Sequence, residues 1–504
     1  YLWVRAEQPG ELRVALESAD GGARHAEAAF RADAPQWRRF DFALVPSRDD
    51  AGARFALTLG SPGAVVIGHA FLQPGRWGRF KDLPVRKDVV EGLIAQGLTV
   101  LRYGGSMVNC AGYRWKNMIG PRDRRPPYQG FWYPHSTNGW GIMDFLDLCE
   151  AAGFLAIPAF NMDESPGDMA DFVEYVNGAP ESQWGRRRAA GGRRAPYGLR
   201  HIQLGNEERV DDAYAAKFEA LAAAIWSKDP RIVPIVGDFA YSRPIADPRA
   251  FTGAASGITS LAAHARMLAF AKERGKEIWF DIHLWTGDPF RLGEAEAAPS
   301  YVEALARLSG GAAHKVVVCE LNADNHAHRR ALANAAALNA LERLGTRLPV
   351  VCSANCLQPH RQNDNGWDQG LLFLDPGRVW PQPPYFVHRM RARSFLPCGV
   401  VVEVRGGAGA LSAAAKKSAD GSALALQVVN LADAVVRARL VLEGFTPAAP
   451  SARVSELAGG LDDTNAPGED PRVAPRERVW LHQAADGPME YAFPPFSFTI
   501  LRLE

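Results

Sequence analysis

A (β/α)8 TIM barrel flanked by an N-terminal β-sandwich and a C-terminal β-sandwich is the architecture the sequence predicts, on three observations. Up to about Phe71, and again after Pro397, apolar and polar residues alternate with the two-residue period of half-buried strands. Between these regions short apolar runs alternate with amphipathic helical stretches, as in parallel strands joined by helical crossovers. Residues able to do chemistry recur after many of those runs instead of at one switch point, which favours a barrel over a doubly wound sheet.

In chain order, the first alternating runs start at Tyr1, Glu11, Trp37, Arg54 and Ala64, separated by Gly, Asp, Ser and Pro. They predict an antiparallel sandwich, or part of one, over residues 1–73. Barrel strands are expected at 98–103, 155–161, 201–205, 232–237, 278–283, 315–320 and 350–354. Helical stretches such as 141–152, 213–226, 261–275 and 329–344 fall between them, within a barrel region of 74–395. Residues 396–504 return to alternation and read as the C-terminal sandwich, with 406–415 and 461–476 as surface loops. Seven barrel strands are countable where closure needs eight. One strand is therefore missing from this count, and a homo-oligomer is one partner expectation.

Bulk composition narrows the function classes. At 504 residues the chain is long enough for two or three domains. Lys plus Arg (57) nearly balances Asp plus Glu (56), so no global field recruits nucleic acid or an anionic membrane, and a neutral partner is expected. The arginines at 186–188 and 193–194 lack the aromatic interleaving of a nucleic-acid surface. No apolar run reaches the roughly 18 residues of a membrane span. The chain opens without a charged-then-apolar leader, which leaves the compartment open, with a secreted or periplasmic one favoured. Six cysteines, mostly in apolar runs, read as buried free thiols and form no zinc pattern, so neither metal nor cofactor is expected.

The chemistry centres on Glu207 and Glu320. Each follows an apolar run, His201-Ile-Gln-Leu-Gly-Asn-Glu207 and Lys315-Val-Val-Val-Cys-Glu320. A carboxylate where a buried strand emerges is partly desolvated, rigidly held and open to a ligand, as acid/base or nucleophilic work requires. Glycoside hydrolysis needs such a pair, one starting protonated and one ionised. Asn206 is suited to hydrogen-bond a sugar hydroxyl, and Gly205 allows the tight turn at the strand end. Bland readings stand beside these. Glu207 also suits a helix N-terminus, Glu320 a structural ion pair, and His283 a hydrogen-bonded core position. The aromatic segment 128–135 reads either as a plug on the barrel or as a sugar-stacking surface.

Counting the absent strand as the first, Glu207 follows the fourth strand and Glu320 the seventh. Leu101-Arg-Tyr-Gly-Gly, Tyr113-Arg-Trp-Lys-Asn-Met-Ile-Gly-Pro, Thr137-Asn-Gly-Trp-Gly-Ile-Met-Asp-Phe-Leu, Glu174-Tyr-Val-Asn, Pro196-Tyr-Gly-Leu-Arg, Gly205-Asn-Glu and Trp380-Pro-Gln-Pro-Pro-Tyr-Phe-Val-His follow in order over roughly 300 residues. In these motifs the chain resembles glycoside hydrolase family 51, the α-L-arabinofuranosidases. The resemblance implies a retaining enzyme with Glu207 as general acid/base and Glu320 as nucleophile. It further implies that Asn206 binds near the sugar 2-hydroxyl, that Arg102 braces the nucleophile, and that His283 orients a carboxylate or the substrate. Departures fall at the sugar subsite: Leu284-Trp285 follows His283, Glu320 is followed by Leu321-Asn322, and Asn355 stands where Gln is common. Trp285 and Asn355 are accordingly expected to contact substrate. The N-terminal region resembles the carbohydrate-binding-type module of plant-like members. The resemblance also implies that the missing barrel strand is the first, supplied by a second chain or a segment preceding Tyr1.

The expected function is release of terminal arabinofuranosyl residues from plant-type polysaccharides or oligosaccharides. An endo-β-1,4-glucanase or xylanase using the same carboxylates is the alternative enzyme, and a non-catalytic carbohydrate-binding or structural subunit is the alternative of another class.

Overall fold

A computed structural model describes residues 1–8, 10–362, 367–482 and 487–504. The chain divides into two compact units, Tyr1–Lys87 and Asp88–Glu504. The first holds two three-stranded antiparallel sheets. One runs Arg38–Phe40, Leu2–Arg5, Val66–Ala70, and the other Arg24–Ala32, Gly10–Glu17, Arg54–Leu59. Leu2, Val4, Leu12 and Val14 form its core, the inward half of each alternating run. The run from Trp37 pairs only over Arg38–Phe40, yet Phe42 and Leu44 beyond it still pack on that core.

The second unit contains a nearly closed, all-parallel sheet. Numbering barrel strands alone, these are β1 (Val100–Tyr103), β2 (Leu155–Phe160), β3 (His201–Leu204), β4 (Val233–Gly237), β5 (Ile278–Trp285), β6 (His314–Asn322) and β7 (Val351–Ser353). Every strand neighbours its successor in sequence, so the sheet order is β7-β6-β5-β4-β3-β2-β1. Helices such as Ile142–Ala152, Asp212–Lys228, Ala262–Glu273 and His328–Glu342 form the crossovers. The strands are apolar nearly throughout because both faces are covered: Ile202, Leu204, Ile235, Phe280, Val316 and Val318 are almost fully buried. The count of seven matches the sequence reading. Cα atoms of β1 and β7 approach within 8 Å, short of the roughly 9.6 Å that two strand spacings require. A further strand there would need these edges to separate.

The C-terminal part forms a six-stranded antiparallel sheet, faced by the two-stranded ladder Val436–Leu440 with Met489–Phe493. The segment 406–415, expected as a loop from its Gly-Ala composition, is partly strand: Leu411–Lys417 pairs with Leu424–Asn430. Its alanines 413–415 are buried, Ala413 and Ala415 in a cluster with Tyr491 and Phe493 of the two-stranded ladder, while helix His328–Glu342 also lies against the strand, with Asn339 Nδ2 donating to the Ser412 carbonyl at 3.1 Å. Among the described residues no helix is long and apolar enough to cross a membrane.

Candidate active site

Glu207 and Glu320 come from strands β3 and β6, which are not adjacent, yet their carboxylates converge. One donor atom from each of Glu207, His283 and Glu320 lies within 4.8 Å of the others. The Glu207 side chain is 27% exposed and that of Glu320 14%, so both are held by protein and still reachable.

The turn that aims Glu207 depends on close backbone approach. Beyond β3 the chain passes through Gly205 at φ +85° and then Glu207 at φ +52°, a left-handed conformation that costs a non-glycine residue roughly 1–2 kcal/mol. Gly237, at the end of β4, lies against this turn. A Cβ there would stand 2.6 Å from the Gly205 carbonyl carbon, so only glycine fits.

A bulge aims Glu320. Along the β5–β6 ladder Asp281 pairs with Val317 and Ile282 with Val318, but His283 pairs with Glu320, leaving Cys319 as the extra residue. The Cys319 N–H donates instead to Asp281 Oδ1 at 2.8 Å. The other Asp281 oxygen accepts from Gln203 Nε2 at 2.8 Å and faces His283 Nε2 at 3.1 Å. Asp281 is fully buried, so it simultaneously holds the bulge, the histidine and the glutamine.

Arg102, at the barrel end of β1, ties the two halves together. Its Nη1 donates to Glu320 Oε1 at 2.6 Å, its Nη2 to Asn206 Oδ1 at 2.7 Å, and its Nε to Gln203 Oε1 at 2.8 Å. The guanidinium lies directly over Gly104: a Cβ there would be 2.4 Å from its Cζ. This is the physical need for the first glycine of the Arg-Tyr-Gly-Gly motif. The second Glu320 oxygen accepts from Asn322 Nδ2 at 2.9 Å. His283 Nδ1 sits 2.8 Å from Glu207 Oε1 and 3.5 Å from Glu320 Oε2.

The charges follow from these contacts. Burial opposes the His283 cation, but the charges of Glu320 and Asp281 outweigh it and push its pKa up to about 10. Burial likewise opposes ionisation of Glu320, yet His283⁺ and Arg102⁺, helped by the Asn322 hydrogen bond, hold its carboxyl below the usual range. With His283 protonated, both ring nitrogens donate and neither keeps a lone pair for a metal, so the trio is better suited to proton and charge management than to ligation.

Arg102, Asn206, Glu207, His283 and Glu320 are therefore brought into one hydrogen-bonded cluster. Trp285 lies two residues beyond His283, its backbone N–H donating to Glu294 and its ring edge-to-face with Trp367 at 5.7 Å. Trp367 in turn packs on Trp132 at 5.8 Å and Trp132 on Phe131 at 5.0 Å, so part of the aromatic segment 128–135 joins a row of rings with Trp285. Asn355 is exposed just past β7 and shares none of the cluster's hydrogen bonds. Sequence reasoning missed Gln203, Asp281 and Glu294, and named Asn322 as a departure at the sugar subsite without its hydrogen bond to Glu320. The signal for two of them was present: Asp281 and His283 are polar residues two apart in an apolar strand, hence on one face, and Gln203 interrupts an equally apolar one.

Replacing Asp281 by Asn removes a charge that supports His283. NMR titration should show the imidazole losing its proton at lower pH than in the parent, with kcat reduced and the pH profile narrowed on its alkaline side. An unchanged His283 titration would contradict this coupling. The sign for stability follows from the two shifts. His283, raised from 6.5 to about 10, contributes fully below pH 6.5 and loses its contribution as pH rises through about 10. Glu320, lowered from 4.5, contributes above that value and loses its contribution on acidification. The Tm difference between parent and His283→Gln is therefore expected to be largest near pH 4.5–6.5 and to shrink towards pH 10, as calorimetry across that range would read.

Comparison with known proteins relates the chain to arabinofuranosidases. The family model of the α-L-arabinofuranosidase 1 domain matches residues 94–250, and that of the α-L-arabinofuranosidase C-terminal domain matches residues 314–497. The chain is 23% identical to α-L-arabinofuranosidase 1 of Arabidopsis thaliana, covering 99% of this chain and 72% of that protein. It is 26% identical to an extracellular exo-α-L-arabinofuranosidase of Streptomyces chartreusis over 46% of this chain, a match spanning only 32% of that relative's length. The GH51 α-L-arabinofuranosidase structure from Thermotoga petrophila superposes with a TM-score of 0.67 at 19% identity, covering 84% of this chain and 91% of that one. On the two domain matches, which together cover more than half of the chain, it belongs to the α-L-arabinofuranosidase family.

Proposed function

We propose that the chain is a retaining α-L-arabinofuranosidase acting on terminal arabinofuranosyl residues. The observation that carries this reading is the facing pair Glu207 and Glu320, oxygens within 4.8 Å, with Arg102 and Asn322 donating to Glu320. So short an approach supports the close carboxylate spacing of double displacement, roughly 5–5.5 Å, over the roughly 6.5–9.5 Å of inverting enzymes. Glu320, ionised beside Arg102 and His283, attacks the anomeric carbon while Glu207 protonates the leaving oxygen. In the second step Glu207 takes a proton from the attacking water. Asn206, which accepts from Arg102, binds a sugar hydroxyl in this reading, and His283 bridges the two carboxylates so that charge moving from one is felt by the other. Trp285 offers an apolar ring for stacking, and Asn355 is assigned to the substrate rim. Hydrolysis of an aryl α-L-arabinofuranoside followed by NMR tests the proposal. The first-formed sugar should keep its anomeric configuration; an inverted product, or no hydrolysis, would overturn it.

The row Trp285, Trp367, Trp132, Phe131 favours a second reading, an endo-acting glucanase or xylanase with an extended cleft. Internal cleavage of a long polymer, seen as a rapid fall in viscosity before reducing ends accumulate, would favour it. We further infer the three-part division 1–73, 74–395 and 396–504, the first part acting as a carbohydrate-binding-like unit. A strand from a second chain would have to enter beside β1 and β7, and the native mass in solution tests for such a partner.

A further inference from the structure

A cavity of about 710 Å³ lies between helix Pro383–Arg393 and the C-terminal sheet, and shares no lining residue with the carboxylate cluster. Its volume falls in the range of small-molecule sites, roughly 300–1,000 Å³. Four arginines line it. Arg389 and Arg393 stand four apart on the helix and hence on one face, while Arg453 and Arg502 are directly opposed across neighbouring strands. Like charges so placed repel one another in both arrangements.

The carboxylates nearby do not balance them. Glu504 serves both strand arginines, accepting from Arg453 Nη2 at 2.6 Å and from Arg502 Nε at 3.3 Å. Glu477, the one acidic lining residue, accepts from Ser455 Oγ at 2.7 Å. Among the described residues Arg389 and Arg393 make no ion pair, and the Nε of Arg389 is buried without a hydrogen-bond acceptor. A desolvated guanidinium N–H without an acceptor is costly unless a ligand supplies one. Phe395, 63% exposed, adds an apolar face on the same wall.

We propose that this cavity binds a carboxylate-bearing saccharide segment, a uronic-acid-containing stretch of the polymer, at a site separate from catalysis. Two or more sugar carboxylates would pair with the helix and strand arginines, while the C–H face of a ring packs on Phe395. The occupant rests on the carbohydrate reading above, but its test does not require turnover.

Binding is measured by calorimetry with oligogalacturonate, neutral arabino-oligosaccharide, polyglutamate and inorganic phosphate, on the parent chain and on Arg389→Gln/Arg393→Gln. The parent should bind oligogalacturonate at least tenfold tighter than any other probe, more weakly as salt is raised, and the double variant should lose at least tenfold. Arg393→Glu, a single exposed change, serves as a second variant should the double one melt early, and should show the same loss. Equal binding of polyglutamate, binding of phosphate alone, or oligogalacturonate affinity unaltered in both variants would overturn the proposal. Hydrolysis of a small aryl arabinofuranoside by the variants is expected to match the parent. Absence of that hydrolysis in the parent would count against the catalytic reading and leave the binding result standing.

Discussion

Glu320→Ala is expected to abolish turnover, lowering kcat by about 10⁴–10⁶-fold, the scale reached when one member of a covalent-catalysis unit is removed. The carboxylate attacks the anomeric carbon in the proposed cycle, so without it no covalent intermediate forms. The truncation leaves space beside the Arg102 and Asn322 donors that a small anion can enter. Azide should then restore reaction on an activated aryl arabinofuranoside and give a glycosyl azide of inverted configuration, as NMR of the product would read. A retained-configuration azide would instead identify Glu320 as the acid/base and exclude it from the nucleophile's role. The substitution also strands the buried Arg102 cation, and breaking such a pair costs about 3–5 kcal/mol. Melting of the variant must therefore be followed beside its kinetics, and Glu320→Asp, which keeps the charge beside Arg102 while drawing the oxygens back from the anomeric carbon, separates the two effects.

Glu207→Ala should separate the two half-reactions. With a good leaving group, attack by Glu320 needs no proton, so a burst of aryl alcohol should appear, followed by slow release of the sugar. With a poor leaving group the first step itself should fall by about 10²–10⁴-fold, the range of general acid–base assistance. Mass spectrometry should detect the glycosyl-enzyme on Glu320 in the first case and none in the second. Equal losses on both substrates would contradict the acid role. His283 then loses its 2.8 Å partner but keeps Glu320 and Asp281, so the remaining cluster stays charged.

Much of the barrel is legible in the chain because each strand is a short apolar run bounded by helix. β3, β4 and β6 can be read locally, and β6 was placed within a residue or two from its valines alone. Glu207 and Glu320 were likewise visible, since a carboxylate at the end of such a run is conspicuous whatever surrounds it. The C-terminal strand Leu411–Lys417 was not: alanine in quantity signals loop or helix, and only the packing on its two faces, with Tyr491 and Phe493 beside Ala413 and Ala415 and the helix His328–Glu342 against the strand, gives small residues a place there.

What the sequence by itself determined is which residues carry charge at which strand ends, since that depends on local periodicity alone. What only the tertiary structure decided is how they are wired. Asp281 gained its role by facing the bulge at Cys319 across the sheet, Gly104 by lying beneath the Arg102 guanidinium, and Gly237 by touching the Gly205 turn. Each of these is a contact between segments far apart in the chain or folded back upon themselves, in a tightly packed interior where leaving a polar group unmatched is costly. Such pairings have no local signature, and they are what turn two acidic side chains into one site.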